Sequence, residues 1–155
     1  TGEKPLPGSE EVVDVRALAR HYSVSPLLIS RMVYRHGCRA RDILSGMLSA
    51  PSRRAPVCRC EPVTSAEIRY VCRYEHARTL DDVMHRTRLG TGPCGGVTCA
   101  MRAASILAEE LGWHPREAVE EARRFVRARF RSRRPALWGD QARQEILGMD
   151  QVRRW

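Results

Sequence analysis

The sequence predicts an all-α fold: a cap-like helical segment, then a small helical module, then a helical tail. Three observations predict it. Every periodic stretch repeats its apolar residues at helical spacing. No alternating run of strand length stands out. Proline, glycine and small polar residues fall where helices start and stop. At 155 residues the chain suits one domain or two small ones, and a fold of this size buries roughly 68–70% of its extended-chain surface without disulfide staples.

The elements follow in chain order. Residues 10–22 place Val12, Val15, Leu18, Ala19 and Tyr22 on one helical face. Ser25-Pro26 reads as N-cap and N1 of a second helix running to Arg35, which Gly37 ends. A short third helix covers about 40–48. Residues 51–57, polar with two prolines, read as a linker. Thr64-Ser65-Ala66-Glu67 is a capping-box signature opening a helix to about His76, and Thr79 with Asp82 repeats it for a helix to about Thr87. Residues 90–96 hold four glycines and can only be a tight loop. A helix from about Val97 to Leu111 closes at Gly112. His114-Pro115 opens the last long helix, with Ala118, Ala122, Phe125, Val126 and Arg129 on one stripe, until Pro135. The expected organisation is therefore 1–50, a linker at 51–57, a cysteine-bearing module at 58–112 and a basic tail at 113–155.

Composition narrows the function classes. Hydrophobic residues at 43% and charged residues at 29% exclude wholesale disorder. No apolar run approaches the ~18 residues a membrane span needs. The net charge of +9 is uneven: residues 1–57 carry +4, residues 58–112 carry none, and residues 113–155 carry +5. The neutral third holds five of the six cysteines. No signal-like segment is present and cysteine is sparse, so free thiols are expected rather than a disulfide framework. The chain begins at Thr1 without Met and reads as a piece of something longer.

The informative pattern is C-x-C followed, thirty-three residues later, by C-x4-C: Cys58, Cys60, Cys94 and Cys99. Each pair lies in a non-helical stretch ahead of a predicted helix. If the intervening helices form a hairpin, four thiolates meet, the ligand count of a [2Fe–2S] cluster or of a structural zinc. Gly90, Gly92, Gly95 and Gly96 let backbone N–H groups approach an anionic body closely, as bridging sulfides require. The helix N-termini after both loops add partial positive charge, and Arg59, Arg86 and Arg88 offer further compensation. Zinc knuckles favour C-x2-4-C, which the tight C-x-C fits less well. Cluster, zinc and ordinary buried cysteines all remain open at this point.

Cys58-Arg59-Cys60-Glu61 with residues 63–68, and residues 86–96 through Cys99, closely resemble the [2Fe–2S] domain related to bacterioferritin-associated ferredoxin. The copy they look most like lies at the C-terminus of FAD-dependent, anaerobic-type glycerol-3-phosphate dehydrogenases. Residues 134–141 resemble the tail of those enzymes, and residues 18–22 and 31–37 resemble the helical region after their flavin domain. The resemblance covers the chain from about residue 8 onward. It implies that Cys58, Cys60, Cys94 and Cys99 are cofactor- and metal-binding. It implies a [2Fe–2S] cluster here, FAD in an N-terminal domain outside this sequence, and electron transfer from that flavin domain to an acceptor subunit or quinone. The implied place is cytoplasmic, at most peripheral at the inner face of the cell membrane. One departure stands out: Gly95 occupies the position after the third cysteine, where the family usually has Gln, and removes a hydrogen-bonding side chain near the cluster. No G-x-G-x-x-G follows a strand in these residues, and no nucleophile–base pair is present, so no catalytic residue is expected in this stretch.

Other features take plainer readings. Thr1-Gly2-Glu3-Lys4-Pro5 looks like a zinc-finger linker, but no C-x2-4-C…H-x3-5-H follows. Seven arginines lie within residues 123–134. The expectation is a solvated helix face paired one turn away with Glu117, Glu120 and Glu121, or docking onto the missing domain, rather than a nucleic-acid site. Cys38 and Cys72 are expected as small buried hydrophobes. His36, His76, His85 and His114 are scattered and make no metal triad. Trp113, Trp138 and Trp155 are expected to pack. The rival reading from another class is a zinc-stabilised or metal-free regulatory module whose basic tail binds nucleic acid.

Overall fold

A computed structural model of the chain describes residues 3–5, 12–50 and 54–155. The side chains of residues 3–5, 12, 13 and 38 fall outside the description, so the expectation for Cys38 lies outside the described residues. The first two residues of the expected 10–22 helix, residues 51–53 of the expected linker and the start of the Thr1–Pro5 motif lie outside them as well.

Among the described residues eight α-helices dominate, and the all-α prediction holds. The first three are α1 (Val15–Tyr22), α2 (Pro26–His36) and α3 (Ala40–Leu48). After them come α4 (Ser65–Tyr74), α5 (Leu80–Thr87), α6 (Ala100–Leu111), α7 (Pro115–Arg133) and α8 (Gly139–Arg153). Two short 3-10 helices (Gly37–Arg39 and Arg134–Ala136) and two antiparallel ladders, the ladders unseen in the periodicity, complete the described residues. One pairs β1 (Glu3–Pro5) with β2 (Val12–Asp14), and the other pairs β3 (Pro56–Cys58) with β4 (Val63–Thr64). Strands of two or three residues are too short to show an alternation. The first helix accordingly starts later than its apolar spacing suggests. Val12 belongs to β2, and Asp14 caps α1 by accepting from the Arg16 and Ala17 amides, both at 2.9 Å.

The caps that the sequence announced are in place. Ser25 caps α2 with Pro26 at its first turn. Thr64 with Glu67, and Thr79 with Asp82, form reciprocal capping boxes at the starts of α4 and α5. His114 does the same for α7 with Glu117. Glu117 is therefore a cap, not the partner of a nearby arginine.

One apolar cluster runs through the described molecule, from Val15 and Leu28 through Ile68, Tyr70, Leu80 and Leu107 to Phe125 and Val152. Helices α4 and α6 pack together and α6 packs on α7. Arg69 and Arg73 of α4 clamp Glu109 and Glu110 of α6. The α4–α5 turn meets α2 through polar contacts: Arg31 pairs with Glu75 at 3.2 Å, and Arg31 also donates to the Arg86 carbonyl at 2.8 Å. Ser25 N–H reaches the buried Glu67 carboxylate at 3.3 Å. The effect of the helical hairpin is positional. It brings the β3–β4 turn and the glycine-rich loop ahead of α6 to one end of the module.

Candidate metal centre

Residues 56–64 form a hairpin whose first strand ends on Cys58. Its register shifts between Pro56 and Cys58, and Val63 N–H closes on the Glu61 carbonyl at 2.6 Å. The bulge and turn aim two thiols only two residues apart in different directions. Cys58 is fully buried and Cys60 is exposed.

The second loop is built from consecutive tight turns: Gly95 N–H to the Gly92 carbonyl at 3.0 Å, Val97 N–H to Cys94 at 3.2 Å, and Cys99 N–H to Gly96 at 3.1 Å. Helix α6 then begins at Ala100, three residues later than its periodicity suggests, with Cys99 as a cap that contributes no side-chain bond. Its first amide donates to the Gly96 carbonyl at 2.8 Å, and the helix start is a partly positive end beside thiols that carry negative charge when ionised.

The glycines act by leaving room. A Cβ on Gly92 would overlap Cys60 Cβ and lie 3.3 Å from its Sγ. Gly90 and Gly96 have positive φ, and a Cβ on either would strike the Phe125 ring at 2.7–2.8 Å. Phe125, fully buried on α7, is the floor on which the loop rests. Sequence reasoning placed Phe125 in a core stripe but gave it no connection with the cysteines.

The four thiols named by the spacing lie near one another, with one direct contact among them. Cys60 Sγ lies 3.6 Å from Cys94 Sγ and donates to it. Cys99 Sγ donates to the Gly96 carbonyl at 3.7 Å, and Cys58, Cys94 and Cys60 all lie close enough to act on it electrostatically. Among the described residues, no group of three or more His, Cys, Asp or Glu side chains is arranged to hold a metal ion. None of the five cysteines with described side chains is in a disulfide. Cys72 sits apart and buried on α4, where burial and the nearby Glu110 push its thiol up to about 11. That matches the reading of Cys72 as a small hydrophobe.

The thiols differ electrostatically. Burial would raise the Cys94 pKa, but donors outweigh it: the Thr98 hydroxyl at 3.3 Å, the Thr98 and Gly96 amides and the Cys60 thiol hold it below the ordinary thiol value. The Cys94 amide acts to lower the Cys60 pKa, yet the thiol–thiol hydrogen bond with Cys94, slight desolvation and the neighbouring Cys94 and Cys58 charges leave it raised. Cys99 is pushed far up by burial and by Cys58 beside it.

The arginines depart in part from expectation. Arg86 turns to Glu75 and Asp82 on the helical side and supplies no compensation at the thiols. Arg88 pairs with Glu61 in the hairpin turn at 3.5 Å, and Arg59 is exposed. The cation that does reach the loop is Arg133, at the end of α7. It donates from Nη1 to the Pro93 carbonyl at 2.8 Å and pairs with Glu145 of α8. No sequence signal pointed to it. Along α7, Arg123 and Arg124 pair one turn back with Glu120 and Glu121, and Arg124 also with Asp81, as expected of a salt-bridged face.

Comparison with known proteins agrees with the cysteine-based resemblance at the level of the enzyme family. The chain is 36% identical over 145 residues to an anaerobic glycerol-3-phosphate dehydrogenase subunit of Escherichia coli (strain K12), covering 93% of this chain and 26% of that protein. It is 32% identical over 162 residues to the subunit of the same name from Haemophilus influenzae, covering 99% and 28%. A further anaerobic glycerol-3-phosphate dehydrogenase subunit, from Haloferax volcanii, is 32% identical over 149 residues, covering 95% and 24%. The chain thus spans about a quarter of the length of these relatives. No solved structure matches it significantly. Residues 1–118, including Cys58, Cys60, Cys94 and Cys99, match the family described as the C-terminal domain of alpha-glycerophosphate oxidase, and the chain belongs to that family.

Proposed function

We propose that this chain is the electron-transfer region of an FAD-dependent glycerol-3-phosphate dehydrogenase, and that Cys58, Cys60, Cys94 and Cys99 hold a [2Fe–2S] cluster. The observation that carries this reading is the contact between two of the thiols. Two thiolates on one tetrahedral metal with bonds of about 2.3 Å stand about 3.8 Å apart, and Cys60 and Cys94 stand 3.6 Å apart. A disulfide requires about 2.05 Å. A [2Fe–2S] cluster takes two protein ligands on each of its two irons, and the Cys60–Cys94 contact suits two ligands on one iron. The donor set around Cys94 suits an anionic inorganic core as well.

When bound, such a cluster supplies one-electron chemistry. The chain's own residues do the rest. Cys58 and Cys99 hold the buried side, where Phe125 and the α4–α6 core exclude water. Cys60 and Cys94 face outward, where a redox partner can approach. The Thr98 hydroxyl and the loop amides favour the thiolate form of Cys94. The names of the relatives support the dehydrogenase assignment and the presence of a partner subunit. The flavin and substrate sites belong, in this reading, to sequence beyond this chain. The module at 58–112 with its tail at 113–155 is the part we assign to electron transfer, and 1–50 the part we assign to the flavoenzyme's helical cap. The cytoplasmic, at most peripheral, placement rests on the family resemblance. Among the described residues no helix is long and apolar enough to cross a membrane.

Iron and acid-labile sulfide in anaerobically purified protein test the proposal. Two iron and two sulfide per chain are expected; stoichiometric zinc without sulfide overturns it. Cys94→Ser should abolish the visible absorbance of the cluster, whereas Cys72→Ser should keep it. The reverse result refutes the ligand set.

A further inference from the structure

Gly95 is the one loop glycine whose missing side chain is replaced by a charged group from elsewhere in the chain. A Cβ built on it would lie 2.5, 2.6 and 2.9 Å from Nη2, Cζ and Nη1 of Arg133. The same guanidinium donates to the carbonyl of Pro93. It therefore presses against the residues on both sides of Cys94, one of the two outward-facing thiols. Its position is held from behind by Glu145 of α8, and both side chains are about four-fifths buried, at 21% and 19% exposure.

The third nitrogen matters as well. Arg133 Nε is buried and makes no hydrogen bond among the described residues. Arg31, Arg69, Arg123 and Arg129 carry an unbonded Nε in the same way, so what distinguishes Arg133 is its place beside Cys94. An anionic group seated on the neighbouring thiolates would give that donor a favourable field. Arg133 also lies two turns beyond Phe125 on α7, so the helix that floors the loop also delivers the cation to its rim.

We infer that Arg133, anchored by Glu145 and admitted by the absence of a side chain at Gly95, is a positioning residue that sets the charge environment of the outer thiol pair and so raises the reduction potential of the redox group held there. The inference rests on the cluster assignment made above. A reduced cluster is more negative than an oxidised one, so a fixed cation beside Cys94 favours reduction. The tail is thereby a functional part of the centre.

The test uses the full-length polypeptide purified anaerobically, with the potential read from the EPR signal of the reduced centre during redox titration. Arg133→Gln should contain normal iron and sulfide but reduce less readily by about tenfold, which is about 59 mV for a one-electron couple. Arg133→Lys, which retains the charge, should recover most of that shift. Normal iron and sulfide with an unchanged potential in Arg133→Gln overturns the inference. Absence of iron and sulfide from the unsubstituted protein overturns the cluster proposal instead. A readout independent of any metal tests the geometry: Gly95→Ala should lower the unfolding midpoint roughly twice as far in the Arg133 protein as in Arg133→Ala, because the clash is then relieved. Equal losses in the two backgrounds would show that the guanidinium does not occupy the place of the missing side chain.

Discussion

The inner and outer halves of the cysteine pocket are made from the same residue type and held differently. On the inner side, Cys58 and Cys99 are fully buried above Phe125, and burial holds Cys99 strongly protonated. On the outer side, Cys60 is exposed and Cys94 is partly so, with hydroxyl, amide and thiol donors drawing Cys94 down. The inner thiols are part of the core and the outer thiols are part of a surface. The four cysteines thus join a buried side to an accessible edge.

Thiol chemistry offers the largest expected effect with which to break this comparison. In metal-free protein, a thiol-specific reagent should modify Cys60 and Cys94 on the order of a hundredfold faster than Cys58, Cys72 and Cys99, which wait on opening of the fold. Mass mapping of the modified peptides checks it. Equal rates at Cys94 and Cys99 would erase the distinction between the halves.

Phe125→Ala comes next. It removes the floor beneath Gly90 and Gly96 and should destabilise the chain by about 3–5 kcal/mol, lowering the unfolding midpoint by roughly 2–4 °C for each of them. Modification of Cys99 should accelerate far more than that of Cys60. If both accelerate alike, the ring supports the whole module rather than the inner half.

The smallest effect concerns the hairpin that carries both halves. Glu110 is partly buried, with its side chain turned in at the end of a clamp with Arg73 and Arg69. Burial opposes its ionisation, but the two guanidiniums prevail and hold its carboxyl below the usual range. A carboxyl whose pKa is lower folded than unfolded adds stability above its unfolded pKa of about 4.3, and that stability is lost as the pH falls through the folded value. Glu110→Gln should therefore cost about 1 kcal/mol at pH 7 and nothing below the folded pKa. Unfolding midpoints at pH 7, 5 and 3 should converge toward the acid end, with the relative reactivity of the inner and outer thiols unchanged.

The legible parts of this protein were those written in local signals. Thr64 with Glu67, Thr79 with Asp82 and Ser25 with Pro26 each announce a helix start within four residues, and each start is where they put it. The four cysteines of the candidate centre were legible because their spacing is itself the signal. What escaped depends on contacts distant in sequence. Arg133 meets the loop across 40 residues, and one arginine among seven in a basic run carries no mark of that. Helix α8 has only Val152 fully buried, so its apolar spacing is faint and its existence rests on packing against α7. The late start of α6 has another cause: apolar spacing counts Val97, whereas the turns that shape the loop hold residues 97–99 out of the helix.

Phe125 and Arg133 sit eight residues apart on one uninterrupted helix, a separation of about 12 Å fixed by the helical rise. One residue inserted between them would turn the arginine about 100° away from the loop while leaving the ring in place. The stretch from 126 to 132 should therefore accept substitutions along its exposed side but no change in length, whereas the tip between α7 and α8 should accept changes of length that leave Glu145 within reach. Among sequences of this type, gaps should cluster after residue 134 and be missing from the two turns before it.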